Sequence, residues 1–275
     1  LVISTLSPEQ LVFRLVGKEY FPEKVVKRVK LLGSTFGCLM WYSFAVHEAP
    51  VYKAEAFNPD IHETMWLGLQ ADPDPVHLLR HCQHAGMHRF PDPEDYDIAV
   101  GCHSLVDPSY APAGKHVVHH EQLAPPATAY TEREWMDIKK RYADELISIW
   151  GEYAPNMTWE NVIGVDTNTP YDALRNSNLG PNGCMAGIDR TPAQIFENRP
   201  TPELANHRTP IKNLYATGTC WHVGSNAGAS ESYNCYKIIA NDLGLEKPWE
   251  HPGKEEPDSL VEQLGEVRRR IRVTS

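Results

Sequence analysis

Three groupings of side chains in this chain have the types and spacing to do chemistry. The first is His119-His120-Glu121, inside the stretch GKHVVHHEQL (114–123). If that stretch is a strand, neighbours alternate faces, so His119 and Glu121 share one side and His120 points to the other. An imidazole beside a carboxylate on a cavity wall can move a proton or orient a polar group. The same pattern also fits an exposed or hydrogen-bonded strand face. The second grouping is His77, His81, His84 and His88, which line one helical face. Histidines four apart on a helix can bind zinc. No HExxH is present, however, and Gly86 is expected to end the helix before His88. We therefore expect a solvated or partner-facing stripe and no metal, and a metal-dependent hydrolase ranks last among the functions considered. The third grouping follows a short apolar strand, Asn213 to Thr217, and runs Gly218, Thr219, Cys220, Trp221, His222, Val223, Gly224, Ser225, Asn226, Ala227, Gly228, Ala229. Cys220 with His222 two residues on has the makings of an activated thiol. A helix is expected to start on the small residues Asn226–Ala229, which would let a ligand approach its backbone N–H groups and positive dipole end. A tight strand-to-helix turn with no ligand gives the same spacing.

Other segments must position these groups. VISTLSPEQ reads as a short strand entering a helix, with Ser7 as N-cap and Pro8 at the first helical position. Leu11, Val12 and Leu15 then recur at helical spacing. Residues 34–47 are β-branched and aromatic enough for a buried strand. Asp72-Pro73-Asp74-Pro75 marks a turn before a helix from about Val76 to Ala85. YDIAVGCHSL (96–105) and GKHVVHHEQL read as two strands joined by DPSYAPA, which is turn chemistry throughout. Residues 131–152 place Trp135, Ile138, Tyr142, Leu146 and Trp150 on one face of an amphipathic helix, opened by a Thr131–Glu134 capping box. Residues 198–210 look like a crossover or linker, and Gly244 is placed to cap the last helix.

Composition sets outer bounds. The 275 residues are 41% hydrophobic and 23% charged, as in a globular protein. A formal charge of −10 argues against a general nucleic-acid binder, which needs a surplus of Lys and Arg. The six cysteines show no CxxC pair and no dense framework, so they read as reduced thiols and point to the cytoplasm. No apolar run is long enough to span a bilayer and no secretory leader is visible. The basic run VRRRIR (267–272) can touch an acidic lipid surface, although docking on a partner or plain solvation explains it better.

Three separated segments are similar to one family in the family's order. HSLVDPSYAPAGKHVV (103–118), TPYDALRNSNLGPNGCMAG (169–187) and RTPIKNLYATGTCWHVGSNAGAS (208–230) resemble segments of the phytoene desaturase and carotenoid isomerase family. The last resembles that family's final flavin motif, with Trp221 and Asn226 bulkier than the usual turn. The resemblance covers about residues 1–244 and implies the C-terminal half of a FAD-dependent oxidoreductase of α/β class. Residues 1–6 would be a strand of the FAD domain, 7–200 a substrate domain with a mainly antiparallel sheet, 201–244 the return to the FAD domain and 245–275 a tail. The GxGxxG fingerprint that opens this family, and holds the ADP half of FAD, occurs nowhere here. The resemblance therefore implies that another polypeptide carries it, or that these residues are one product of a cleaved chain.

On this reading Gly218 to His222 and Gly224 to Ala229 contact FAD mainly through the backbone, and Cys220 packs near the flavin instead of attacking a substrate. His119, Glu121 and His222 are the candidate catalytic groups. The expected activity is a flavin-dependent dehydrogenase or desaturase acting on a hydrophobic substrate of isoprenoid or alicyclic type. A redox-neutral isomerase or hydratase and a non-catalytic subunit are the alternatives.

Overall fold

The structure is a computed structural model that describes residues 1–69, 75–180, 182–224 and 229–247. In chain order the main elements are β1 (Val2–Ser4), α1 (Pro8–Gln10, continued by a wider π-type stretch, Leu11–Val16), α2 (Glu23–Lys30), β2 (Cys38–Val46), β3 (Trp66–Gly68), α3 (Val76–Gly86), β4 (Ala99–Gly101), α4 (His103–Val106), β5 (His116–Ala124), α5 (Glu132–Tyr153), β6 (Val162–Asn168), α6 (Pro170–Ser177), β7 (Leu214–Ala216) and α7 (Ser230–Leu243). The class is mixed α/β.

Five strands form one antiparallel sheet in the order β3-β4-β5-β2-β6. Register assigns its two faces. Met40, Tyr42 and Phe44 of β2 pair with Gln122, His120 and Val118 of β5, and all six are buried. Against this face lies α5, whose Trp135, Ile138, Tyr142, Leu146 and Trp150 are the residues its 3.6-residue period selects. The helix starts where expected: the Thr131 hydroxyl accepts the Glu134 N–H at 3.3 Å, and the Glu134 carboxylate accepts the Thr131 N–H at 2.7 Å.

A second core gathers Leu11, Val12, Phe21, Val25 and Val29 with Ile188, Leu204, Ala216, Cys220 and Trp221. Beside it β1 and β7 pair in parallel, Val2 opposite Leu214 and Ser4 opposite Ala216. Ser7 opens α1 through a capping box with Gln10, each bond 3.2 Å long. Leu15, expected on the buried side with Leu11 and Val12, is exposed near the end of that helical segment.

Several sequence expectations need correction. The histidines within α3 are not solvated, whereas His88, beyond its end, is exposed. His77 and His81 are buried, His81 reaches the carbonyls of Asp95 (2.8 Å) and Leu123 (3.0 Å), and His84 lies 3.1 Å from the Asp95 carboxylate. Polar partners from this same chain turn the stripe inward. Among the described residues no cluster of His, Cys, Asp or Glu could hold a metal. The strand expected over 96–105 is three residues long, because the chain turns helical at His103. Among the described residues the last helix runs from Ser230 to Leu243 with Ala229 as N-cap. Gly244 ends it in the left-handed conformation, as foreseen. Asp72, Pro73, Asp74, Ser225, Asn226, Ala227, Gly228 and the VRRRIR run lie outside the described residues. Among the described residues no helix is long and apolar enough to cross a membrane.

Candidate functional site

The sheet face away from α5 is half open, and its composition follows from strand alternation. Leu39, Trp41, Ser43 and Ala45 of β2 point there, opposite Leu123, Glu121, His119 and Val117 of β5. Gly101 and Ala99 of β4 continue the rows past His119 and Glu121, and Trp66 of β3 lies beside Gly101. On the other flank Asn168 and Asp166 of β6 stand opposite Trp41 and Ser43. The result is an apolar, aromatic floor, kept shallow by glycine and alanine, with polar groups concentrated around His119.

His119 is the hub of that polar group. Its Nδ1 lies 3.1 Å from the Ser43 hydroxyl and its Nε2 lies 3.3 Å from Glu121 Oε1. A neutral imidazole can accept the Ser43 O–H at Nδ1 and donate Nε2–H to the carboxylate. That arrangement leaves the second oxygen of Glu121, whose side chain is 41% exposed, as the reachable proton acceptor, with His119 holding the carboxylate and Ser43 holding His119. The Trp66 and His103 rings sit 6.0 Å and 5.9 Å from the His119 ring, and Tyr110 stacks on His103 at 5.8 Å. Asn168 adds a buried Oδ1 with no partner among the described residues.

His120 occupies the opposite face. Its Nδ1–H donates to the Ala99 carbonyl (3.0 Å), and Nε2 faces the Tyr142 hydroxyl at 2.6 Å. Burial lowers its pKa from 6.5 to about 3, so it is neutral at ordinary pH. The single Tyr142 hydroxyl hydrogen serves either His120 or the Gln122 side chain, whose Oε1 lies 2.7 Å away.

The glycine-bearing turn lies beside the second core. Trp221 is fully buried, donates its indole N–H to the Leu6 carbonyl (3.0 Å) and directs its backbone N–H to Gly218 (2.8 Å). Its bulk is thus absorbed by the core. Cys220 is buried too, and loss of solvent pushes its thiol up to about 12, which is wrong for a nucleophile. His222 directs Nδ1 to the Phe196 carbonyl at 2.7 Å and lines a cavity of about 460 Å³ with His207, Glu197 and Lys237. No contact among the described residues joins it to His119 or Glu121. The structure brings two of the three candidate catalytic residues together and sets the third apart.

Sequence reasoning missed the residue that anchors this turn. Arg199 is completely buried, and its guanidinium donates to the carbonyls of Ala186, Ile188, Asp189, Gln194 and Thr219 at 2.7–3.2 Å. Gly224 must lack a side chain, because a Cβ there would lie 2.5 Å from Arg199 Cδ. The stretch 198–210, expected as a linker, contains no strand but is fastened by Arg199 and, further on, by His207 to the Ala216 carbonyl (2.9 Å) and by Arg208 to Asp242 (2.6 Å). An arginine before Pro200 in a proline-rich run has no periodicity to betray it. Ser43, Trp66 and His103 were missed because only strand register brings them to His119.

Comparison with known proteins adds a class. No family model matches the chain. It is 28% identical over 247 residues to pyridine nucleotide-disulfide oxidoreductase domain-containing protein 2 of Rattus norvegicus, covering 88% of this chain and 42% of that protein. It is 28% identical over 152 residues to a limonene dehydrogenase subunit of Castellaniella defragrans, covering 54% of this chain and 27% of that one. Among solved structures, an oxidoreductase from Methanosarcina mazei aligns with a TM-score of 0.43 at 13% identity, over 87% of this chain and 42% of the other. The class common to these relatives is the oxidoreductase. The narrower likeness to phytoene desaturases is not carried by their names. The chain spans under half the length of the relatives it matches.

Proposed function

We propose that this chain is the substrate-binding part of a FAD-dependent dehydrogenase that acts on a hydrophobic, isoprenoid or alicyclic molecule. The observation that carries the reading is the open sheet face. It offers an apolar floor from Leu39 to Trp66 and one polar relay, Ser43–His119–Glu121, which suits a ligand that is mostly hydrocarbon and loses a proton at one place. The relationship to oxidoreductases, one of them named as a limonene dehydrogenase subunit, supports the same class.

The chain's own residues fit a flavin edge. At the end of β7 the Thr217 hydroxyl is buried without a partner among the described residues, and the N-cap residue of α7, Ala229, itself offers no capping side chain. Glu231, buried in the first turn of α7, already places a carboxylate at its positive end. A neutral ring edge is therefore a better occupant than the diphosphate, and Gly218 to His222, Gly224 and Ala229 are the contacts of this chain. FAD, when bound, supplies the acceptor for a hydride. Glu121 takes the neighbouring proton, His119 and Ser43 orient Glu121, and Trp66 and His103 keep water from it. His222 lies beside the cofactor turn and serves positioning.

The adenosine half of the cofactor belongs to a GxGxxG-bearing unit outside these residues, a second chain or the other product of a cleaved one. The β1–β7 pair is the docking edge, with Leu1, Val2 and Ile3 of this chain exposed beside it. The domain division follows: 1–6 and 201–244 join the partner's sheet, and 7–200 cover the substrate. The relay needs no net oxidation, so a redox-neutral isomerase is the second reading.

The test is to purify the chain with its co-expressed GxGxxG partner, measure bound flavin, and assay cyclic and linear terpenes with and without an electron acceptor. A flavin-loaded complex that consumes acceptor, and loses kcat at least about tenfold in Glu121→Gln, is expected. Turnover without acceptor would favour the isomerase. A stable, colourless complex would overturn both.

A further inference from the structure

We propose that Cys38 and Cys184 are a reversible dithiol–disulfide site, closed by a small peroxide. The two residues face each other across an isolated antiparallel bridge between the foot of β2 and the loop that follows α6. The Met185 N–H donates to the Gly37 carbonyl, at 3.2 Å. A bond from the residue after one cysteine to the residue before the other identifies the non-hydrogen-bonded kind of antiparallel pair. Such pairs have Cα atoms about 4.5 Å apart, within the range a disulfide accepts. Closure needs only rotation about the side-chain bonds.

The two residues pack together with Ala186 in one buried cluster, and their sulfurs face backbone carbonyls, Cys38 Sγ 3.5 Å from that of Asn182 and Cys184 Sγ 3.7 Å from that of Phe36. The neighbouring Cys184 thiol, with burial, holds Cys38 well above its ordinary pKa. The neighbouring Cys38 thiol, with help from the N–H groups of Ala186 and Gly187, lowers the pKa of Cys184 against the opposing effect of burial. One sulfur is prepared to attack and its neighbour to resolve. Cys220, near the same loop, is different: burial dominates and its pKa is raised. Both Cys38 and Cys184 are fully buried, which restricts the oxidant to one about the size of hydrogen peroxide.

The step balances. The Cys184 thiolate attacks one peroxide oxygen, the O–O bond breaks, and the departing hydroxide takes the Cys38 proton to become water. The Cys38 thiolate then attacks the sulfenic sulfur of Cys184. The S–S bond forms, the S–O bond breaks, and hydroxide leaves with a solvent proton as a second water. Two electrons pass from the sulfur pair to the peroxide. The bridge fastens the foot of β2 to the loop whose carbonyls Arg199 holds.

Peptide mapping of the wild-type chain tests this without reference to flavin or substrate. The protein, with its partner chain where they purify together, is treated with hydrogen peroxide, alkylated after denaturation and digested. The expected result is one linkage, Cys38 to Cys184, with the other four cysteines alkylated and the bridge reopened by dithiothreitol. Thermal melting should rise by about 10 °C on oxidation, and the rise should vanish in Cys38→Ser while persisting in Cys220→Ser. Six alkylated cysteines after peroxide would overturn the proposal. So would irreversible oxidation of Cys184 alone, or a linkage through Cys220.

Discussion

Replacing His120 with asparagine removes a group that the fold holds neutral between the sheet and α5. The unfolded chain protonates this imidazole near pH 6.5, whereas the folded protein resists until about pH 3. Between those values the unfolded state binds the extra proton, so stability falls as the pH is lowered. The contribution is fully present above the unfolded pKa and is lost progressively towards the folded one. Each unit of that interval is worth about 1.4 kcal/mol, so going from about pH 7.5 to about pH 4.5 removes about 2.5 kcal/mol through this one residue. Urea unfolding followed by tryptophan fluorescence reports on it directly, because Trp135 and Trp150 lie in the same core. The carboxylates titrate alike in both proteins and cancel in the comparison. The variant is expected to be less stable at neutral pH, through loss of the imidazole's bonds to Ala99 and Tyr142, but with the shallower acid slope. Equal slopes, or an NMR titration of His120 near its ordinary pKa, would refute the reasoning.

Arg199→Met leaves five buried carbonyls without their shared donor and should destabilise the chain by at least about 3 kcal/mol in the same unfolding assay. Gly101→Ala would place a methyl 2.4 Å from the Met65 carbonyl and 2.5 Å from the Trp66 ring. It should cost about 1–3 kcal/mol and shift the His119 imidazole resonances as Trp66 moves away. Asp172 caps α6 through Thr169 and pairs with Lys139 at 2.6 Å. Burial alone would raise its pKa, but these bonds outweigh it and the carboxyl ends below its ordinary range. Its contribution is therefore present above the unfolded pKa and lost as pH falls through the folded one. Asp172→Asn should cost about 1 kcal/mol at neutral pH, a gap that narrows in acid.

Much of the architecture is legible in the sequence because its signals are local. The Ser7 N-cap, the Thr131 capping box, the apolar stripe of α5 and the alternation around His119 each lie within a few residues of one another, and each appears in place. The TPYD segment has a local cause as well: Thr169 caps α6, Pro170 takes its first turn and Asp172 closes the box. What escaped depends on distant partners. Sequence alone gives no means of aligning Ser43 with His119, or of seeing that Asp95 and Leu123 draw His81 inward. That His222 stands apart from His119 and Glu121 was likewise hidden, because proximity to a glycine-rich turn says nothing about which sheet a side chain faces.

The pairing of β1 with β7 has a consequence for synthesis. Val2 finds its strand partner at Leu214, so the apolar strand β1 emerges from the ribosome long before β7, which pairs with it. At ordinary elongation rates the wait is roughly 10–40 s. The antiparallel sheet and α5 can assemble in that interval from residues 38–168, but the β1–β7 pair cannot. Until β7 follows, the β1 edge that pairs with it is bare, and the yield of the chain should depend on holdase chaperones that bind short extended apolar segments.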